Sequence, residues 1–201
     1  MQIRELSVGD AWEFTPVQWK DDRGIFLEYF KADEFEAATG RPFTLRQANT
    51  SVSRRGVVRG IHFADVPPGQ AKYVTVTRGA GIDFIVDIRV GSPTFGKWES
   101  IILDDADRRA VYISEGLGHA FVALTDDATL SYLVSEQYNP AAEHDLHILD
   151  PDLALEFPRE LGTPVLSPKD EAAPSLAALL AAGALPTWEA SRAYYDSLTK
   201  A

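Results

Sequence analysis

The 201-residue chain is 45% apolar and 24% charged, ordinary usage for one globular domain with a substantial core, which excludes a disordered chain or a fibrous repeat. Thirty acidic against 19 basic side chains leave a net charge of −11, which argues against general nucleic-acid binding, because that needs a basic face to displace counterions from phosphates. With no cysteine, disulfides, thiolate metal sites and a cysteine nucleophile are excluded together.

The first residues, MQIRELSVGDAWEFTP, hold no apolar h-region, and no apolar run approaches the roughly 20 residues that span a bilayer. No membrane partner is expected, and a cytoplasmic location is. DEFEAATG reads as a short helix ended by Gly40. Residues 41–158 then read as short strands broken by Gly, Pro and Asp turns. AKYVTVTR alternates, with Lys72, Val74, Val76 and Arg78 on one side and Tyr73, Thr75 and Thr77 on the other. GIDFIVDIR places Ile82, Phe84, Val86 and Ile88 on one face and Asp83, Ile85, Asp87 and Arg89 on the opposite one. RAVYIS, HAFVALT and ATLSYLVSEQY follow; the last is expected to carry Tyr132, Val134, Glu136 and Tyr138 on one face. APSLAALLAAGALP and TWEASRAYYDSLTK read as two further helices. The expectation is an all-β sandwich, jelly roll or barrel with helices outside the β region, built as one domain over residues 1–201.

Against the acidic background, RGVVRGIHFADVPPGQAKYVTVTRGAG gathers Arg55, Arg59, His62, Lys72 and Arg78. An isolated strand histidine is more often a satisfied core residue than a functional one. His62, however, is followed by His119 in the glycine turn GLGHAF. That order resembles cupins, small β-barrels that usually hold a metal on an H-x-H pair, a glutamate and a later histidine. Here the position two after His62 is Ala64, and Gln70 and Lys72 stand where the acid is expected. A protonated lysine has no lone pair and repels a cation, so no metal is expected. A barrel without metal that holds His, Lys, Tyr and carboxylates suits proton transfer. Tyr132 and Tyr138 can equally be amphipathic core or rim residues, and Asp83 and Asp87 partners for Arg89 or Lys72.

RGVVRGIHF, PPGQAKYVTVTRGAGIDFIVDIRVGSPTFGKWE, GLGHAFVAL, YLVSEQYNP and LDPDLALEFP together are similar to the dTDP-4-dehydrorhamnose 3,5-epimerases, enzymes of dTDP-4-keto-6-deoxyhexoses. The resemblance runs from near Trp12 to near Ser175, and SPTFGKW with R-G-x-H is its most specific part. RGVVRGIH and PPGQAKYV look closer to the branch that makes antibiotic deoxysugars. The resemblance implies a cupin-type jelly-roll barrel, a homodimer, and neither metal nor nicotinamide cofactor. It implies that His62 is the base beside the 4-keto group, oriented by Asp170 of SPKD; that Lys72 donates to the enolate oxygen; and that Tyr132 returns the proton from the other face. It further matches Arg23, Phe26 and Glu28 of DRGIFLE, Gln47 and Asn49 of RQANT, Arg59 and Tyr138 to a nucleotide clamp partly spanning the dimer. Phe26 and Tyr138 would stack on the base, Gln47 read its polar edge, and Arg23 and Arg59 bind phosphate. His119 and Asp83 match polar residues near the sugar. GLGHAF departs from the G-F-A-H-G-F of the cell-wall enzymes, and the tail after Ser175 finds no counterpart. Inversion at carbon 3, carbon 5 or both stays open. The competing readings are a cupin-like nucleotide-sugar-binding protein without turnover and a metal-dependent cupin oxygenase.

Overall fold

A computed structural model describes residues 1–199; Lys200, at the end of the expected last helix, lies outside them. The strands are β1 (Gln2–Glu5), β2 (Ala11–Thr15), β3 (Gln18–Asp21), β4 (Gly24–Leu27), β5 (Gln47–Ser53), β6 (Val58–Ala64), β7 (Lys72–Arg78), β8 (Ala80–Val86), β9 (Trp98–Asp104), β10 (Ala110–Ile113), β11 (Gly118–Ala123), β12 (Ala128–Val134) and β13 (Glu143–Asp145). The helices are α1 (Ala32–Thr39), α2 (Pro168–Glu171), α3 (Leu176–Ala182) and α4 (Trp188–Leu198). A six-stranded sheet, β1-β2-β10-β7-β12-β5, faces a five-stranded one, β13-β6-β11-β8-β9, while β3 and β4 form a separate hairpin. This is the expected all-β jelly roll with helices on its outside. Among the described residues no helix is long and apolar enough to cross a membrane.

The alternating faces sort into three apolar layers. Between the sheets lie Val74, Val76, Ile85, Val111, Ile113, Phe121 and Leu130, with Tyr132 packed against them. The outer face of the five-stranded sheet carries Val58, Ile61, Phe63, Phe84 and Val122 and is covered by Leu146, Ile148 and Leu176 and Leu179 of α3. The outer face of the six-stranded sheet carries Trp12, Phe14, Tyr73 and Tyr112, against which α1 buries Phe35. Two expectations need correction here. Strands begin at Gln2, well before residue 41, and α1 lies between strands rather than beyond the β region; its aromatic anchor, invisible to strand periodicity, is what ties it to the sheet. β12 stops at Val134, so Tyr138 is not on its face: Ala71 and Ser135 close the ladder and the chain turns away.

β6 departs from simple alternation. Its partners on β11 are His119 for His62 and Phe121 for Arg59, so two residues, Gly60 and Ile61, stand on β6 against one, Ala120, on β11. The surplus residue resets parity, so Arg59 and His62, which strict alternation at a spacing of three would put on opposite faces, share the inner one while Val58, Ile61 and Phe63 stay outside. Gly60 sits in this bulge at φ 116°, where an added Cβ would come 2.5 Å from the His119 carbonyl oxygen.

Arg89 is fully buried and donates to Asp87 Oδ1 (2.9 Å) and Oδ2 (2.8 Å), Asp10 Oδ2 (2.8 Å) and the Gly9 carbonyl (3.0 Å), with Trp188 of α4 over its guanidinium. It thus pins the N-terminal loop, the turn after β8 and α4 together. Replacing Arg89 by Ala leaves Asp87 buried without its counter-charge and is expected to cost about 3–5 kcal/mol; urea unfolding checks this, and a loss under 1 kcal/mol would reduce the network to a surface-like pair. For Gly60→Ala, the unfolding midpoint is expected to fall by the equivalent of about 1–3 kcal/mol. An unchanged midpoint would show that β6 has room for a side chain at the bulge.

Candidate active site

His62 stands on the inner face of β6, and its Nε2 lies 2.8 Å from Asp170 Oδ1. An ionised carboxylate only accepts, so Nε2 carries the proton and Nδ1 is the ring's basic atom. Asp170 is placed by local sequence. Ser167 caps α2, accepting from the Asp170 N–H at 3.1 Å and donating to its Oδ2 at 2.7 Å, with Pro168 at the first helical position. Burial pushes the Asp170 carboxyl up, but the His62 and Ser167 hydrogen bonds overcome that and hold it below the ordinary range. A pocket of about 350 Å³ lined by Arg59, His62, Leu166, Ser167, Lys169 and Asp170 opens beside the pair.

The directly paired neighbour of His62 on β11, His119, meets Asp83 Oδ1 of β8 at 2.7 Å, and Asp83 is wholly buried. From the facing sheet come Lys72 at the start of β7 and Tyr132 on β12, whose register partners Val74 and Asn49 share its inner face. Burial lowers the Lys72 ammonium's hold on its proton, opposed by Glu143, Glu115 and Asp83 in that order. Among the described residues Lys72 has no hydrogen-bond or ion-pair partner. Burial also raises the Tyr132 phenol; Arg59 pulls it down and Glu143 up, so it is a protonated donor at neutral pH. Arg59 reaches from β6 to Ser53 Oγ of β5 at 3.0 Å, across the gap between the sheets.

The structure therefore brings together His62, Lys72, Asp83, His119, Tyr132, Asp170 and Arg59. Gln47 and Asn49 join each other at 2.7 Å at the β5 edge, the Tyr138 N–H donates to Gln47 Oε1 at 3.1 Å, and Tyr138 as a whole is 59% exposed. Arg23, Phe26 and Glu28 are not brought to this pocket. They ride on and just beyond the β3–β4 hairpin, where Arg23 pairs with Asp21, Glu28 approaches Lys31, and Phe26 is 66% exposed beside Trp19.

Three site residues went unnoticed in the sequence. Asp145 is the register partner of His62 on β13, with its Oδ1 3.6 Å from Nε2; Lys169 Nζ sits 3.0 Å from the same oxygen; and Glu143 acts on both Lys72 and Tyr132. β13 spans three residues, too few for a legible period, and only Lys169 had a local signal, its place in SPKD. Donor atoms of His62, Asp145 and Asp170 lie within 4.8 Å of one another, a spacing that could hold a divalent cation, although Lys169 already supplies a positive charge there.

A base held by a carboxylate on one sheet and a protonated phenol on the other, with a buried ammonium and an arginine nearby, is equipped to remove and return protons at a carbon beside an anionic oxygen. The comparisons agree with that chemistry. The sequence profile of the dTDP-4-dehydrorhamnose 3,5-epimerase family matches residues 5–178. A dTDP-4-dehydrorhamnose 3,5-epimerase of Mycolicibacterium smegmatis is 54% identical over 100% of this chain and 98% of its own, so the tail after Ser175, which the motifs left unplaced, has a counterpart after all. NovW, a 4-keto-6-deoxy sugar epimerase from the novobiocin biosynthetic gene cluster of Streptomyces spheroides, is 57% identical with a TM-score of 0.93, covering 95% of each chain. ChmJ, a 3'-monoepimerase from Streptomyces bikiniensis solved in complex with dTDP-quinovose, is 47% identical with a TM-score of 0.95 over 98% of this chain and 99% of its own. On its sequence, its fold and the side chains its two sheets bring together, this chain belongs to the dTDP-4-dehydrorhamnose 3,5-epimerase family.

Proposed function

We propose that the protein epimerises a dTDP-4-keto-6-deoxyhexose, dTDP-4-keto-6-deoxyglucose being the expected substrate, at carbon 3, carbon 5 or both. The observation that carries this is the His62–Asp170 pair at 2.8 Å on one inner face and the protonated Tyr132 phenol on the other. His62 Nδ1 takes the proton from the carbon next to the ketone, and Asp170 stabilises the imidazolium that forms. The electron pair of the broken C–H bond moves into the ring as an enolate, whose oxygen accepts from Lys72. Such a donor in a dry site is worth about 3 kcal/mol of barrier. Tyr132 then gives its proton to the same carbon from the opposite face, and the carbonyl re-forms. His119, held by Asp83, contacts the sugar, and Arg59 binds the diphosphate. The reading needs no cofactor and no metal.

We also infer that the enzyme works as a cytoplasmic homodimer of single-domain chains. A two-stranded hairpin is marginal by itself, yet β3–β4 displays Trp19, Ile25 and Phe26 to solvent. Seated on a second copy, the hairpin would carry Arg23, Phe26 and Glu28 to the partner's nucleotide, where Phe26 and Tyr138 would stack on the base and Gln47 and Asn49 would meet its polar edge. A hollow of about 500 Å³ between Leu27 and Tyr29 and the outer face of β5, β7 and β12 gives the second copy a place to dock.

In deuterated water with dTDP-4-keto-6-deoxyglucose, the wild type is expected to incorporate deuterium at each carbon it inverts. His62→Ala should abolish exchange, whereas Tyr132→Phe should impair inversion and leave some exchange, each losing at least about a hundredfold in turnover. Normal exchange in His62→Ala would remove His62 as the base. Arg59→Ala should weaken dTDP binding in calorimetry at least tenfold, the effect of losing about 1.4 kcal/mol, while turnover at saturation suffers less, because the phosphate contact exists in ground and transition states alike. Unchanged dTDP affinity would return Arg59 to a rim contact with Ser53.

A further inference from the structure

Beneath the site lies a carboxylate that the proposed reaction does not use. Glu115 follows β10, two residues past Ile113, and is 2% exposed. Its Oε1 accepts from Ser135 Oγ at 3.3 Å, and the same hydroxyl accepts from the N–H of Ala71 at 2.8 Å, directly before Lys72. Its Oε2 is buried with no hydrogen-bond partner among the described residues. The ladder explains the approach: Lys72 is paired with Ile113 on one side and Val134 on the other, so the residues just beyond those partners, Glu115 and Ser135, converge on the start of β7. Glu115 lies in the turn after β10, its Cβ and Cγ packed against Gly69. α4 seals this end, its Tyr195 hydroxyl donating to the Glu115 carbonyl and its Ser191 packed over Gly116.

We propose that Glu115 is a buried counter-charge of Lys72, a positioning residue that keeps the ammonium protonated where, among the described residues, no direct hydrogen bond or ion pair holds it. The inference rests on the role of Lys72 given above. Of the three carboxylates that act on Lys72, Glu143 acts most strongly but stands half-buried on an edge strand, where water screens it, and Asp83 is committed to His119. Asp83 Oδ2 is likewise buried without a partner among the described residues, but its Oδ1 is held by His119, whereas Glu115 Oε1 takes only the neutral Ser135 hydroxyl. The charged and titratable groups facing Glu115 are Arg41, Lys72, Tyr112, Tyr194 and Tyr195. Burial holds the Glu115 carboxyl above its ordinary value; its own backbone N–H, Arg41, the Ser135 hydroxyl and Lys72 oppose that in this order without cancelling it.

The sign follows from the charges. Removing a nearby anion makes an ammonium release its proton at lower pH. In substrate-free, full-length protein carrying labelled lysine, with the Lys72 signal assigned through Lys72→Arg, NMR titration should show Lys72 of Glu115→Gln losing its proton about one pH unit below the wild type. The alkaline limb of kcat/KM should move the same way, which a merely structural glutamate would not cause. Identical Lys72 titrations in the two proteins would overturn the proposal. Should Glu115→Gln fail to fold, carboxyl titration in the wild type decides: a Glu115 still protonated where Lys72 titrates cannot be its counter-charge, and an ionised one is the expected result. Because the titration needs no substrate, an inactive protein whose Lys72 still follows Glu115 would sink the epimerase reading alone, and an active one whose Lys72 ignores Glu115 would sink this inference alone.

Discussion

The surplus residue in β6 governs this active site. A strand alternates its side chains strictly, so two residues three apart face opposite ways unless something resets the count. At Gly60 the count is reset, and His62 and Arg59 both look into the space between the sheets while Val58 and Ile61 stay in the outer apolar layer. Without the bulge, one of the two polar side chains would have to enter the layer formed with Leu146, Leu176 and Leu179, where neither has a partner. The bulge needs a backbone that approaches the His119 carbonyl more closely than any Cβ permits, which is why a glycine stands there. From that one irregularity the base, its histidine neighbour on β11 and the arginine come to share a face.

The molecule is acidic overall, yet it buries several cations, and it treats them in two ways. Arg89 is enclosed by Asp87, Asp10 and the Gly9 carbonyl, with every charge answered; its work is to fasten distant segments. Lys72 is also buried, but among the described residues no hydrogen bond or ion pair holds it. In a medium of low polarity an unpaired ammonium holds its proton less firmly and interacts strongly with any negative charge that arrives. A group in that condition is suited to an oxygen that becomes anionic during a reaction, whereas a satisfied ion pair like that of Arg89 is not.

The C-terminal third supplies support from outside the barrel. α2 is a single turn, yet its Ser167 cap and Pro168 start hold Asp170 within reach of His62. α3 covers the apolar back of the sheet that carries His62 and His119, and α4, gripped by Arg89 and Arg41 through Trp188 and Tyr195, closes the turn that holds Glu115. Helices that look peripheral thus fix the dryness and the geometry of the interior.

Much of this was legible in the sequence because it depends on local rules. Alternation in AKYVTVTR and GIDFIVDIR gave the inner and outer faces of β7 and β8, the glycines at 40 and 183 ended α1 and α3, and the motifs around His62, Lys72, His119, Tyr132 and SPKD indicated the family. Asp145 and Glu143, by contrast, could not be found, since β13 spans three residues and owes its existence to pairing with β6 about eighty positions earlier in the chain. Nor could the placement of α1, which depends on Phe35 meeting Phe14 and Tyr112 from strands far apart in sequence. The chain by itself determined which side chains were available and which way most of them point along a strand, because those properties repeat every two residues. Only the tertiary structure decided which carboxylate meets which cation and on which side of the barrel Arg59 stands, because long-range register and a one-residue bulge leave no periodic mark in the sequence.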